Sequence, residues 1–454
     1  MNQPSSSLLR QLGLVSATAL VISNMVGTGI FTTTGFLAGD LGAPGMVLGI
    51  WVVGAIVALA GAFCYSELGI NFPSSGGEYV YLTQAYGPTW GFMEGWISFT
   101  AGFSAPIALA ALAFSDYLGY FFPAVKQASS TAIGPFTVGG AQMVASALIA
   151  GFAVLNLFGI RLAASVQNVL TAVKLSVIVG FLVFAFAVGK GDWGHFEQAA
   201  VRTSTSPLWE QFATSLIFIY VAYSGWNAAT YVAEELRTPE RTLPLALTLG
   251  TALVAALFVG LNLAYIYAQP LEQMKGVVAV GSLAASNLFG PEVASLFSGL
   301  MAVSLLATVN AMVTIGPRVY YAMAQNKAFF PAAARVHEQW RTPHIAIAMQ
   351  AVCAVAMCFL SFRDLMFYVG FLLNAFSVLA VASLFVFRKR AGWQRLGVVN
   401  FAWPLIPAFY ILVGAWVAGS GFLMRPSVSL AALGTVALGA FAYKIFLAPR
   451  RAAA

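Results

Sequence analysis

The sequence predicts an all-α polytopic membrane protein in which the first and sixth spans are each broken near mid-membrane. Three observations carry this: the composition, the recurrence of long apolar stretches, and two small-residue interruptions in matching places. The 454 residues are 60% hydrophobic and 8% charged, with a mean hydropathy of +0.85. Ordinary soluble domains carry about 25% charged residues. Apolar stretches of about 20 residues, the length a helix needs to cross a bilayer, recur from end to end. The interruptions are Gly27-Thr28-Gly29 and Ser224-Gly225, each inside a segment that otherwise reads as one apolar helix.

Taken in order, twelve spans are expected, at about residues 12–38, 45–70, 88–121, 140–159, 163–188, 209–235, 244–268, 286–324, 344–361, 364–387, 400–422 and 428–447. Asp40-Leu41-Gly42-Ala43-Pro44 turns the first span into the second, and Pro73-Ser74-Ser75-Gly76-Gly77-Glu78-Tyr79 opens the connector to the third. The polar loop from Lys190 to Pro207 closes the first half, and basic Arg388-Lys389-Arg390 leads to the last pair. The chain thus divides into residues 12–189, 209–388 and 400–448.

The net charge of +7 is no nucleic-acid signal, because the basic residues lie mainly in loops on one side. Of the 22 lysines and arginines, 15 fall on the side of the N-terminus, 6 on the other, and Lys174 lies within a span. Excess positive charge marks the inner side, so both termini are expected in the cytoplasm of a cell-membrane protein. The first span is too long for a signal-peptide core and reads as retained. Cys64, Cys353 and Cys358 lie in apolar segments, and His195, His337 and His344 in loops or at span ends. Neither set has metal-ligand spacing, so no metal and no cofactor is expected. No His, Asp or Cys cluster sits at mid-span to support an enzyme. No repeated filter residues point to a channel, and no soluble domain is present to hydrolyse ATP.

Backbone polar groups in hydrocarbon must be bonded internally or face a cavity. Two glycines around Thr28 weaken a helix where continuity matters most. A break there frees N–H groups, and the half-helix beyond it presents a positive dipole end to an anion. Ser224-Gly225, flanked by Tyr223 and Asn227, repeats the feature in the sixth span. Free carbonyls at a half-helix end suit a cation. Five spans separate the two breaks, so the halves enter the membrane in opposite directions, the pattern of an inverted repeat with its site on the pseudo-two-fold axis. The competing reading is that these small residues only permit close helix packing. Lys174, about a dozen residues into the fifth span, is costly at mid-bilayer and needs a partner or a function, unless it snorkels to an interface.

Gly27-Thr28-Gly29-Ile30-Phe31 resembles the first-span signature of the amino acid–polyamine–organocation superfamily. Ala222-Tyr223-Ser224-Gly225-Trp226-Asn227, with Glu234-Glu235 and Thr238-Pro239-Glu240-Arg241-Thr242-Leu243-Pro244, is similar to the sixth span and following loop of its L-type amino acid transporter branch. Asn262-Leu263-Ala264-Tyr265, Glu272-Gln273-Met274, Pro73 to Tyr79 and Gly159-Ile160-Arg161 extend the likeness. The resemblance implies a LeuT-type 5+5 inverted repeat with two additional C-terminal helices, the first and sixth spans being unwound. It places a substrate carboxylate on the backbone of Met25, Val26, Gly27, Thr28 and Gly29, and the α-ammonium on carbonyls of Val221, Ala222 and Ser224, with Tyr223 and Asn227 at the same site. In relatives the position of Val221 is commonly an aromatic gate; here the neighbouring residue is Tyr220. A fifth-span lysine replaces the sodium ion of sodium-coupled relatives, and Lys174 resembles it, its acceptors expected among the carbonyls of residues 21–24. It acts either as a fixed tether or as a group that gains and loses a proton. Mammalian relatives carry a disulfide-linked partner, but residues 122–139 here hold no cysteine, so no covalent partner is expected.

The function expected is sodium-independent exchange of neutral L-amino acids by alternating access, with proton symport through Lys174 as the alternative, and a sensor or channel as another class. The partners are a free amino acid and the lipid bilayer. Glu67, Glu78 and Glu94 gather near the inner face, either pairing with Arg161, Arg237 or Arg241 in a gate or anchoring the interface. Glu234 and Glu235 are expected in a salt-bridge cluster with Arg237 and Arg241. Asn310, Asn374 and Ser377 either line the pocket or join helices.

Overall fold

The computed structural model describes residues 12–73, 76–134, 136–158, 160–325 and 328–447. Ser74, Ser75, Gly159 and the Arg161 side chain fall outside them. The chain is a helical bundle. The first span is two helices, α1 (Leu14–Met25) and α2 (Thr28–Leu41), bent by 41° at a two-residue link. Then come α3 (Pro44–Asn71), the connector helix α4 (Glu78–Tyr86), α5 (Pro88–Ile97) and α6 (Ala105–Leu118), the last two joined without a gap by a π-helical segment, Ser98–Ser104. A small antiparallel hairpin, β1 (Thr131–Ile133) with β2 (Phe136–Val138), pairs Ile133 with Phe136. It precedes α7 (Gly140–Leu157) and α8 (Ile160–Ala187).

The second half opens with α9 (Leu208–Tyr223), which stops at the Ser224-Gly225 turn and resumes only as a 3-10 segment, Ala228–Glu235. The helices α10 (Pro239–Ala268), α11 (Leu271–Met274), α12 (Val280–Phe289), α13 (Pro291–Gln325), α14 (His344–Met357) and α15 (Phe362–Phe387) follow. The chain ends in α16 (Gly397–Phe401), α17 (Leu405–Met424) and α18 (Pro426–Ala442).

Among the described residues, nine helices are long and apolar enough to cross a membrane, ten if α1 and α2 make one span. Twelve were expected. The shortfall lies at the sixth and ninth segments, where α9 has 16 residues and α14 has 14. The eighth span begins at Pro291 and not near residue 286. Gly290 takes φ +83°, and proline at the first helical position starts a new helix there. The loop from Lys190 to Pro207 contains one short 3-10 turn, Trp193–Glu197.

Lipid gives apolar helices no hydrophobic reason to associate, so close backbone approach at small residues has to do so. The helix α3 shows this. A Cβ on Gly54 would lie 2.1 Å from Ile219, one on Gly61 2.9 Å from Trp226, and one on Gly69 2.3 Å from Leu243. These three glycines bring α3 against α9, the turn after it, and α10.

Candidate substrate site

The first break is local geometry dictated by its glycines. Helix α1 closes when the Val26 N–H donates to Ile22 O (3.0 Å). Val26 and Gly27 are then extended, with ψ 89° and ψ −153°. Helix α2 starts at Thr28, and the N–H groups of its first turn have no acceptor within the helix. The second break needs glycine outright, since Gly225 sits at φ +95°. Helix α9 ends just before it, and Ser224 turns back on that end: its N–H and Oγ both donate to Val221 O (3.1 and 2.7 Å).

The two breaks touch. A Cβ on Gly29 would lie 2.3 Å from Ala222 Cα, and one on Gly225 would lie 2.8 Å from the Asn24 carbonyl carbon. The start of α2 therefore lies beside the end of α9, so the first N–H groups of one helix and the last carbonyls of the other meet in one region. Gly27, Thr28, Val221 and Ser224 remain partly exposed there, while Met25, Val26, Gly29 and Ala222 are buried.

Lys174 reaches this region from α8. Its side chain is 1% exposed, and Nζ donates to Ser23 O (3.1 Å) and Val26 O (2.6 Å). One acceptor lies within the expected stretch 21–24 and the other two residues beyond it. A lysine so held is not snorkelling. Thr308 of α13, which the sequence reading passed over in favour of Asn310, also approaches the break: its Cγ2 is 3.7 Å from where a Gly27 Cβ would stand. Its hydroxyl is buried without a hydrogen-bond partner.

Two of the proposed site side chains point elsewhere. The Tyr223 hydroxyl donates to Trp51 O (3.0 Å), with its ring against Trp51 and Phe258. Asn227 Nδ2 donates to Glu78 Oε1 (3.0 Å). Tyr220 is hydrogen-bonded with Tyr410 (3.3 Å), away from the first break. A crevice of about 20 Å³, lined among others by Gly54, Ala58, Leu216, Tyr220, Tyr223 and Asn374, sits on that side of α9. It holds little more than a water molecule.

A family model described as amino acid permease matches residues 12–441. The chain belongs to the amino acid permease family. Among its relatives is the serine/threonine exchanger SteT of Bacillus subtilis, 30% identical over 431 residues, covering 93% of this chain and 92% of that protein. Human large neutral amino acids transporter small subunit 2 is 28% identical over 423 residues, 90% and 76% of the two chains. Human b(0,+)-type amino acid transporter 1 is 28% identical over 437 residues, 93% and 85% of the two. These are transporters and not enzymes.

In this permease the two ends of the broken pair are tied differently. At the face where α1 begins, the Leu12 N–H donates to Glu235 O (2.9 Å) and the Arg237 N–H to Leu12 O (3.1 Å). This backbone bridge ties the start of the first span to the stretch that holds Glu234, Glu235, Arg237 and Arg241. Near it, half-buried Glu78 accepts from Tyr65 (2.7 Å), Tyr231 (2.6 Å) and Asn227. Burial raises its carboxyl above the usual range, and these hydrogen bonds pull it partly back. Among the described residues, Glu67 pairs with neither Arg237 nor Arg241. It takes both arms of Arg388 (2.6 Å each), the Trp393 indole (2.9 Å) and the Leu396 N–H (3.1 Å), all far along the chain. Glu94 accepts from Ser98 (3.3 Å).

At the opposite face α2 is buried from Gly29 to Leu41. Asp40 is paired with Arg363, and Arg202 Nε donates to Asp40 O (3.1 Å). The Tyr117 hydroxyl donates to Phe31 O (2.9 Å), and the Gly276 N–H donates to Gly35 O (2.9 Å). Asn374 and Ser377 join helices: Asn374 Nδ2 donates to Gly414 O (2.9 Å), and Tyr410 donates to Ser377 (2.9 Å).

Proposed function

We propose that this permease is a sodium-independent exchanger of neutral L-amino acids that works by alternating access. The observation that carries the reading is the meeting of the two broken helices, with an open helix start beside an open helix end at one depth. A zwitterion is the ligand whose two charges suit those two ends. The carboxylate is assigned to the N–H groups of Gly27, Thr28 and Gly29. The ammonium is assigned to the carbonyls of Ala222 and Ser224, since Val221 O already accepts two bonds from Ser224. Met25 and Val26 belong to the walls: the Val26 N–H is used within α1 and its carbonyl by Lys174. No acidic side chain stands among these residues, which favours a neutral substrate. Exchange as the mode is in keeping with SteT, a serine/threonine exchanger.

Lys174 stands for the missing cation. Its two acceptors are the carbonyls that the break leaves without helical partners, so a fixed ammonium serves where a sodium ion would otherwise be drawn. The remaining architecture follows the same reading: twelve spans, residues 12–189 and 209–388 as inverted halves, and residues 400–448 as an added pair. Both termini face the cytoplasm by the loop charges. No covalent partner subunit is needed, and a mixed disulfide on a non-reducing gel would count against that.

Uptake of labelled serine into sodium-free proteoliposomes tests the reading. Unlabelled serine inside should accelerate uptake, and added sodium should not. Uptake driven by an imposed pH gradient with no internal amino acid would instead support proton symport.

A further inference from the structure

Toward the α1 face from Lys174, the polar side chains of α7, α8 and α13 form one directed chain of hydrogen bonds. The one Thr314 hydroxyl proton is shared between Asn156 Oδ1 (2.8 Å) and Asn310 O (2.7 Å), and Asn156 Nδ2 donates to Asn310 Oδ1 (3.3 Å). Asn310 Nδ2 donates to Gln167 Oε1 (3.0 Å), and Gln167 Nε2 to Thr171 Oγ1 (3.0 Å). Each amide accepts at oxygen and donates at nitrogen in the same sense, the arrangement in which neighbouring bonds polarise and strengthen one another. Asn156 and Asn310 are 1% and 0% exposed, so a link removed is one that water does not readily replace.

The last members of the chain lie on one stripe of α8. Gln167, Thr171 and Lys174 are spaced i, i+4 and i+7, which puts them on the same helix face. Lys174 needs both the rotation and the height of α8 to be fixed, because its two acceptors belong to another span. Apolar packing through Val177, Ile178 and Phe181 holds α8 on one side only. Helix α8 is among the least buried of the spans, with Val169, Val179, Val183 and Phe184 all turned outward. The amides supply the directional contact that its apolar face lacks.

We propose that Gln167 and Asn310 are positioning residues for Lys174, holding α8 in the rotation that places the ammonium on the first-span break. This rests on the reading that Lys174 serves transport, and the experiment separates the two. Serine exchange is measured in proteoliposomes for Gln167→Leu, Asn310→Leu, Lys174→Ala, and Gln167→Leu combined with Lys174→Ala. Gln167→Leu and Asn310→Leu should each slow exchange to about the level of Lys174→Ala, roughly tenfold below the parent. Adding Gln167→Leu to Lys174→Ala should slow it no further, because the two act through one contact. A length swap covers the case in which the leucine variants fail to fold. Gln167→Asn and Asn310→Gln should each impair exchange, and the two together, which restore the summed reach, should recover most of it.

A slow Lys174→Ala beside an unaffected Gln167→Leu overturns the positioning role alone. So do losses that multiply in the combined variant, or a swap that recovers nothing. Parental rates in Lys174→Ala overturn the reading of the lysine itself, and the positioning role with it.

Discussion

Gly29→Ala is the sharpest test of the crossed breaks. The added methyl carbon would stand 2.3 Å from Ala222 Cα, 2.6 Å from its Cβ and 3.0 Å from its N. Carbon atoms in good contact sit about 3.5–4.0 Å apart, so the two spans must separate by about 1 Å or more at the crossing. Overpacking a filled interior costs about 1–3 kcal/mol. Here the obstructing atoms are mostly backbone, which no rotamer change can move, so the upper end applies. About 3 kcal/mol is a factor of roughly a hundred in an equilibrium. The assay is serine exchange in proteoliposomes, with the melting temperature of the detergent-solubilised protein alongside. The control is Gly180→Ala on α8, where a Cβ meets nothing within 4 Å. Alanine there should leave exchange intact and add about 0.5–1 kcal/mol of helix stability. If Gly29→Ala exchanges serine and melts like the parent, the spans do not cross at Gly29 and the site built on that crossing falls.

Lys174→Ala should slow exchange while leaving it indifferent to sodium, as read by uptake with and without added sodium chloride; undiminished exchange removes the lysine from the mechanism. Glu67→Gln leaves the Arg388 guanidinium, 7% exposed, facing an uncharged partner. Breaking a buried pair costs about 3–5 kcal/mol, so this variant should melt well below the parent, and an unchanged melting temperature would show that the pair is solvated. Glu78 provides a pH test. Its carboxyl is raised in the fold, so the folded state holds that proton more tightly than the unfolded chain, and the stability linked to it is present at low pH and lost as pH rises. Glu78→Gln should therefore match the parent near pH 5 and melt higher near pH 8; a variant that melts lower near pH 8 contradicts this sign.

Local chemistry was legible in the sequence where it acts within a few residues. Gly27-Thr28-Gly29 and Ser224-Gly225 break their helices where expected, because a glycine cluster weakens a helix whatever surrounds it. Lys174 announced a buried partner because a lone cation in an apolar helix is too costly to leave unexplained. Partners brought together by folding were not legible. Glu67 and Arg388 are 321 residues apart, and nothing local marks either one for the other, whereas Arg161, Arg237 and Arg241 lay closer in sequence. Tyr223 and Asn227 flank the second break, but a side chain's direction depends on helix rotation: Tyr223 closes α9 turned toward Trp51, and Asn227, beyond the turn at Gly225, meets Glu78. The end of α12 was missed because its apolar residues run on into α13 across Gly290-Pro291, and apolarity outweighed two residues of turn chemistry.

An experimental structure of the permease with serine bound tests the central claim most directly. The account predicts the carboxylate within hydrogen-bond distance of the N–H groups of residues 27–29 and the ammonium against the carbonyls of Ala222 and Ser224, with Lys174 still on the first-span carbonyls. Serine found elsewhere, or a continuous α-helix through residues 23–31 in the complex, would contradict it.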